Sequence, residues 1–352
     1  MGGTSKNINP GKKRKRRAKF KRKVRVGPSP MVTVPRFFRR SIFSGSTLTY
    51  HSYKLKSSLP AAFSFAEDKE SVLGFLNDTF SLYKRSKRKT KDRAFVFDLK
   101  SVENIDITSI CLFLSLINKL KQNGIGSRGN FPDNENARTT IIESGFSEMM
   151  QSEFKQLKTK KYTNQIYIVG SKRVNNKRLG QSVKEAVGYL TGEEQHFKPM
   201  YTMLIEMCSN SVEHANRNEQ DKNWVVSVSY EEDCVRFIVV DTGEGILRTI
   251  HKKWPERFMD SVYRNDGDVL SDILDKGYQS RTKEINRHKG LPRIKECHDA
   301  GFVSDMMILT NNVLYDMSTK TYQSVHNEYF GVLYSWSLTL NNFKKWEERK
   351  SI

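Results

Sequence analysis

Apolar positions change their spacing several times along the chain, and each change predicts an element. Val72, Phe75, Leu76, Phe80 and Leu82 recur at roughly helical spacing within 67–83. AFVFDL (94–99) is a short apolar run ending in an acid, the pattern of a buried strand. TSICLFLSLINKL (108–120) predicts a strongly apolar helix that Gly124 ends. The stretch 125–140 reads as irregular, and Ile141 to Phe146 as the start of a further helix near Gly145. A polar, Lys-rich stretch at 153–166 then predicts a domain boundary. Beyond it the pattern gives a strand at 166–170 and helices near 179–191 and 196–215. WVVSVSY (224–230) and VRFIVVD (235–241) flank the acidic tip Glu231, Glu232, Asp233, a hairpin signal. An apolar segment lies near Val269 to Leu274, and a helix follows Gly290 to about Asp299. Strands at 306–317 and 330–340 close the chain. Strands cluster late and helices early, which predicts an α/β fold with a mixed sheet and helices on one face. Nearer the start, VTVPRFF (32–38) and residues 46–53 have the composition of a short strand pair.

Charge divides the chain in two. The net charge is +21, yet residues 1–66 carry 17 of the 60 Lys and Arg residues and none of the 39 acidic ones, so the remaining body is close to neutral at +4. Within KKRKRRAKFKRKVR (12–25), 11 of 14 residues are basic. Such a run repels itself and has little apolar content to drive collapse, so 1–30 reads as a disordered basic arm. Its aromatic content is sparse. It suits phosphate attraction without base readout, on nucleic acid or on an acidic partner, and a solubilising tail is the plain alternative. Cys111, Cys208, Cys234 and Cys297 are scattered with no C-x-x-C pair, which argues against a disulfide framework or a cysteine zinc site. No run reaches ~18 apolar residues, and the first 25 residues lack a signal-peptide core. A soluble, cytoplasmic protein without a membrane span is expected.

Three separated segments carry candidate chemistry. In TMLIEMCSNSVEHAN (202–216) and the residues just before it, Phe197, Met200, Leu204, Met207, Cys208 and Ala215 form one apolar stripe. Glu206, Asn210 and His214, four apart, share the other face. Glu can accept a proton from water, and the Asn carbonyl suits a hard cation such as Mg²⁺; an ordinary solvated face is the alternative. In VRFIVVDTGEGI (235–246), a strand delivers Asp241, then Gly243 and Gly245. The carboxylate can accept from an exocyclic amine such as that of adenine, and the glycines let backbone pass close to a flat ligand; D-x-G is equally a common turn. In RHKGLPRIKE (287–296), Gly290 precedes a helix with Pro292 in its first turn, and Lys289 and Arg293 add charge where backbone N–H groups could meet phosphate. A simple helix start is the alternative.

In order and spacing, these segments resemble the ATP-binding domain of the gyrase, heat-shock chaperone, histidine kinase and MutL (GHKL) superfamily, over about 162–342. Glu206 and Asn210 look like its N box, Asp241 to Gly245 its first glycine box, and residues 288–291 its second, with Leu291 as the closing Leu and His288 where the family has Gly. The resemblance implies Glu206 as general base, Asn210 as the Mg²⁺ ligand, Asp241 as the adenine reader, and nucleotide contacts from His214, Gly243, Gly245, Lys289, Gly290 and Leu291. It also implies a mobile lid at 247–289, with GYQSR (277–281) part of it. The E-x-x-x-N-x-x-x-H pattern is most similar to anti-sigma kinases. Upstream, residues 95–125 resemble the core of a STAS domain, with Asp98 ending a strand and Ile105–Asp106 before an apolar helix. Ile107 stands where antagonists of that fold carry the phosphorylated Ser or Thr. Thr108 is then a displaced acceptor or, more simply, a helix N-cap.

The expected organisation is a basic arm (1–30), a STAS-like domain (31–150) and a GHKL α/β sandwich (160–345). The expected activity is that of a Mg²⁺-dependent ATP hydrolase working as a conformational switch on a protein or nucleic-acid partner. An anti-sigma-type Ser/Thr protein kinase and a nucleic-acid-binding adaptor with structural ATP are the alternatives. Homodimers are common in the superfamily.

Overall fold

The computed structural model describes residues 53–86, 93–151, 166–170, 174–213, 223–253, 265–276 and 290–350. The basic run 12–25, the strand pair expected at 32–38 and 46–53 (apart from Tyr53) and the boundary segment near 153–165 lie outside them. The described residues all belong to one compact unit, Pro35–Ile352.

The first half alternates strand and helix. β1 (Tyr53–Ser58), β3 (Arg93–Asp98) and β5 (Gly126–Gly129) form a parallel sheet in the order β1-β3-β5. Helices α1 (Phe65–Ser86) and α2 (Ile107–Gln122) make the crossovers that parallel pairing requires. A two-residue parallel ladder joins β2 (Ala62–Phe63) to β4 (Asn104–Ile105). α1 is interrupted at Asp68, whose carboxylate accepts from the Ser71 amide at 3.0 Å and so caps the turns that follow. α2 is capped by Asp106, which accepts the Ser109 amide at 2.7 Å, and not by Thr108, which stands in its first turn. A carboxylate one residue outside the helix reaches that amide without leaving the cap geometry.

The stretch 125–140, expected to be irregular, holds β5 and α3 (Glu135–Glu143), with Asn134 as its N-cap. α3 ends before Gly145, and α4 (Phe146–Gln151) follows. β5 has no β-branched residue to betray it. Its place is set by pairing with β3 from Ala94↔Gly126 to Phe97↔Gly129.

The second half is built on β6 (Ile166–Gly170), β7 (Trp224–Tyr230), β8 (Cys234–Asp241), β9 (Ser304–Asp316) and β10 (Thr321–Thr339), in the order β6-β7-β8-β10-β9. Every neighbouring pair is antiparallel, so this sheet is not mixed; the parallel strands form their own sheet. α5 (Asn176–Thr191), α6 (Lys198–Glu213), α7 (Ile246–Lys253), α8 (Asp266–Lys276) and α9 (Gly290–Asp299) share one core with one face of the sheet, through Val226, Val228, Phe237, Val239, Tyr334 and Trp336. α10 (Leu340–Lys350) adds Phe343 to it.

The other face is covered too, against expectation. All seven residues of β7 are buried, and α2 packs on β7 and β8. Twelve consecutive residues of α2, Ser109 to Leu120, are buried, so the helix is covered on all sides, its polar members Ser109, Ser115, Asn118 and Lys119 included. One side of α2 carries Phe113 into a ring cluster with Phe63, Phe75, Phe97 and Phe146; another meets the second sheet. Among the described residues no helix is long and apolar enough to cross a membrane.

Candidate functional site

The expected apolar stripe of α6 is buried at Phe197, Met200, Leu204, Met207 and Cys208. Glu206 and Asn210 are only partly buried. His214 and Ala215 lie beyond the described residues. The stripe includes one polar member, Ser211, whose hydroxyl donates to Asp241 Oδ2 at 3.0 Å. That bond ties α6 to the end of β8.

Asp241 is 7% exposed. Its Oδ1 accepts from the Gly243 amide at 2.8 Å and the Val332 amide at 3.2 Å. Oδ2 receives the Ser211 hydroxyl, its one hydrogen bond among the described residues, and a carboxylate oxygen can accept a second. Burial pushes the carboxyl above its ordinary range, opposed by these three bonds and by the Lys119 charge. The Asp241 carbonyl is bound separately, by the Tyr329 hydroxyl at 2.6 Å.

The turn after Asp241 is held from β9. Asn311 Nδ2 donates to the Glu244 carbonyl at 2.9 Å, and the Ile246 amide donates to the Thr310 hydroxyl at 2.8 Å. Gly245 has φ +85° and packs against the Asn311 side chain, so a Cβ there would suffer both backbone strain and collision.

The third segment meets the first at the start of α9. A Cβ on Gly290 would lie 3.0 Å from Asn210 Nδ2 and 3.3 Å from both Asn210 Oδ1 and Glu206 Oε2. A Cβ there would press on the ends of the Asn210 and Glu206 side chains, which would have to shift by a few tenths of an ångström to admit it. One turn on, Arg293 forms an ion pair with Glu206, so in this state it meets a carboxylate instead of standing ready for phosphate. Leu291 packs partly buried against the core, and Lys289 lies outside the described residues.

The chain therefore brings Glu206, Asn210, Asp241, Gly243 and Gly290 to the last turns of α6, from segments far apart in sequence. The region 247–289, expected to be a lid, is not one flap. α7 and α8 lie within it and bury Leu247, Ile250, Val269, Leu270, Ile273 and Leu274 in the main core. Residues 254–264 and 277–289, with GYQSR, lie outside the described set. Among the described residues no group of three or more His, Cys, Asp or Glu side chains is gathered around a metal-sized space. The Asn210 amide oxygen is a hard donor that fits a magnesium ion sharing its shell with phosphate and water.

Sequence reasoning missed Ser211 and Lys119, which stand beside other polar residues in the sequence and are singled out only by their burial, at 5% and 8% exposure. A cleft of roughly 350 Å³, its open mouth included, lies at the junction of the two halves, lined among others by Phe80, Leu116, Lys119, Thr242, Tyr329 and Phe330. Comparison of the chain with protein-family models and with curated proteins finds no match to either.

Proposed function

We propose that the chain is an ATPase of the GHKL type, acting as a nucleotide-dependent switch on a protein or nucleic-acid partner. The observation that carries this reading is the convergence of three motifs on the last turns of α6. Ser211 binds Asp241 while Glu206 and Asn210 abut Gly290. In this reading Asp241 accepts the adenine amine at the position left on Oδ2, fixed in direction by Ser211, Gly243 and Val332. Asn210 offers its amide oxygen to a magnesium ion, which when bound would neutralise phosphate charge. Glu206 takes the proton of the attacking water. It can do so once Arg293 has left it for the phosphates, so nucleotide entry and release of the base are one event.

Calorimetric titration with Mg·ATP and a phosphate-release assay test this. Wild type is expected to bind and hydrolyse. E206A is expected to retain binding and lose roughly a hundredfold or more of turnover, as fits removal of a general base. No binding by wild type, or equal turnover by E206A, sinks the proposal. Mass spectrometry of the same reactions with candidate partners reads out phosphotransfer, including to Thr108, which stands partly buried at the start of α2. The basic run 12–25 enters as the proposed contact for a polyanionic partner. Its removal should flatten the salt dependence of binding in a gel shift.

A further inference from the structure

The two halves are joined beside the turn that follows Asp241. Lys119, near the C-terminal end of α2, is 8% exposed, and its ammonium donates to the Thr242 carbonyl at 2.7 Å. One helical turn earlier, the Ser115 carbonyl accepts from Asn223 Nδ2 at 2.8 Å. Asn223, 1% exposed, precedes β7, and its carbonyl accepts the Thr242 amide at 3.3 Å. Ser115 and Lys119 are four apart on one face of α2, so the chain of bonds closes: α2 to Asn223, Asn223 to Thr242, Thr242 back to α2. Thr242 is the residue between Asp241 and Gly243. Phe80 of α1 covers the ammonium, 4.8 Å from ring centre to nitrogen.

Burying an ammonium is costly unless partners meet it, so a lysine buried at this place, the one charged residue among the buried residues of α2, needs a reason. A methionine would fill the same space with no desolvation cost. What only the lysine supplies is a charge-assisted bond to this one peptide and a positive field at the neighbouring carboxylate.

We propose that Lys119 is a positioning residue for the nucleotide pocket, through which the N-terminal half sets the geometry and charge of the Asp241 turn. This rests on the nucleotide reading above. It makes the N-terminal half part of the pocket's wall: anything that shifts α2 shifts Thr242 and with it the adenine acceptor. The groups that bear on Asp241 are Lys119 from α2, Ser211 and Cys208 from α6, and Tyr329 and Tyr334 from β10. Lys119 is the cation among them, so its loss should keep Asp241 protonated to higher pH.

The test compares wild type with Lys119→Met and Asn223→Ala in the full chain, by hydrogen exchange at the 242–246 amides and by ATP titration across pH. Lys119→Met should speed exchange at Thr242 and Gly243 and weaken nucleotide binding by roughly tenfold, the scale of one hydrogen bond to a charged group. It should also move the acid limb of binding to higher pH. Asn223→Ala should speed exchange and weaken binding without moving that limb, because it removes a tie and no charge. Unchanged exchange in both variants, or an unmoved acid limb in Lys119→Met, overturns the proposal. If wild type binds no nucleotide, the function proposed above fails, and exchange alone decides whether Lys119 holds the turn. If Lys119→Met does not fold, Lys119→Gln, which also removes the charge, takes its place with the same expected and overturning results.

Discussion

Asp241 is held in a state that folding disfavours. Its carboxyl is buried and its folded pKa is raised, so the native state binds the proton more tightly than the unfolded chain. The sign follows from linkage: this group costs no stability below its unfolded pKa, and the cost grows as pH rises through the folded value. Asp241→Asn removes the charge and keeps the shape. It should raise the thermal midpoint at neutral pH by a few degrees, on the order of the ~1–2 kcal/mol that such changes yield. The gain should vanish at strongly acidic pH, and Mg·ATP binding should be lost. A midpoint lowered at neutral pH would show that the charge is stabilising. At this scale the site was partly legible. Asp241, Glu206, Asn210 and Gly290 announce themselves by residue type and spacing. Ser211 and Lys119 do not, because hydroxyls and lysines are common on helices and only burial gives them meaning. Arg293 was legible as a charge, but its partner is a carboxylate that no spacing rule connects to it.

Helix α2 shows why elements were easier to read than their neighbours. Its apolar run marks a helix without ambiguity, and with apolar residues spread around most of its circumference it also signals burial on more than one side. That second message concerns packing, and sequence alone could not say against what. Phe113 faces the N-terminal sheet, with its ring 4.9 Å from Phe97 and stacked on Phe146 at 5.6 Å. Phe113→Ala should therefore cost about 3–5 kcal/mol, the usual range for a buried aromatic, measured as a shift in the urea midpoint at constant slope. A cost below ~1 kcal/mol would mean that the cluster collapses to fill the void. The same substitution should leave the amides at 242–246 protected unless the loss unfolds the whole unit, because Phe113 points away from the Ser115–Lys119 clamp. β5 illustrates the opposite case. GSRG carries no strand propensity, and the pairing partner alone makes it a strand.

In the whole molecule the decisive residues are the serines of β7. In WVVSVSY, Val226 and Val228 alternate with Ser227 and Ser229, a pattern common in strands that keep one face in water. Both serines are in fact buried, as are Val225, Ile238, Val240 and Leu333 on the same face. Register places Val225 beside Val240, and Val240 beside Leu333, as an apolar row across three strands. A second sheet face that mixes serines with aliphatic residues is ambiguous in sequence and becomes an interface when α2 lies on it. Further along the seam, Glu70 of α1 accepts from the His326 and Asn327 amides at 2.9 and 3.0 Å, and Phe80 packs against Phe330 at 5.7 Å. The expected boundary at 153–166 therefore divides the chain in sequence without dividing its packing. A fragment starting at residue 160 would expose the apolar row and lose the clamp on Thr242 together. It should self-associate and bind a hydrophobic dye far more strongly than the full chain, since exposed apolar patches of this kind seek partners. Co-expression with residues 1–151 should restore a monodisperse species and the original thermal midpoint. A monomeric fragment that melts where the full chain does would show that the sheet's second face is stable in water, and that the N-terminal half is an attachment and not a wall of the site.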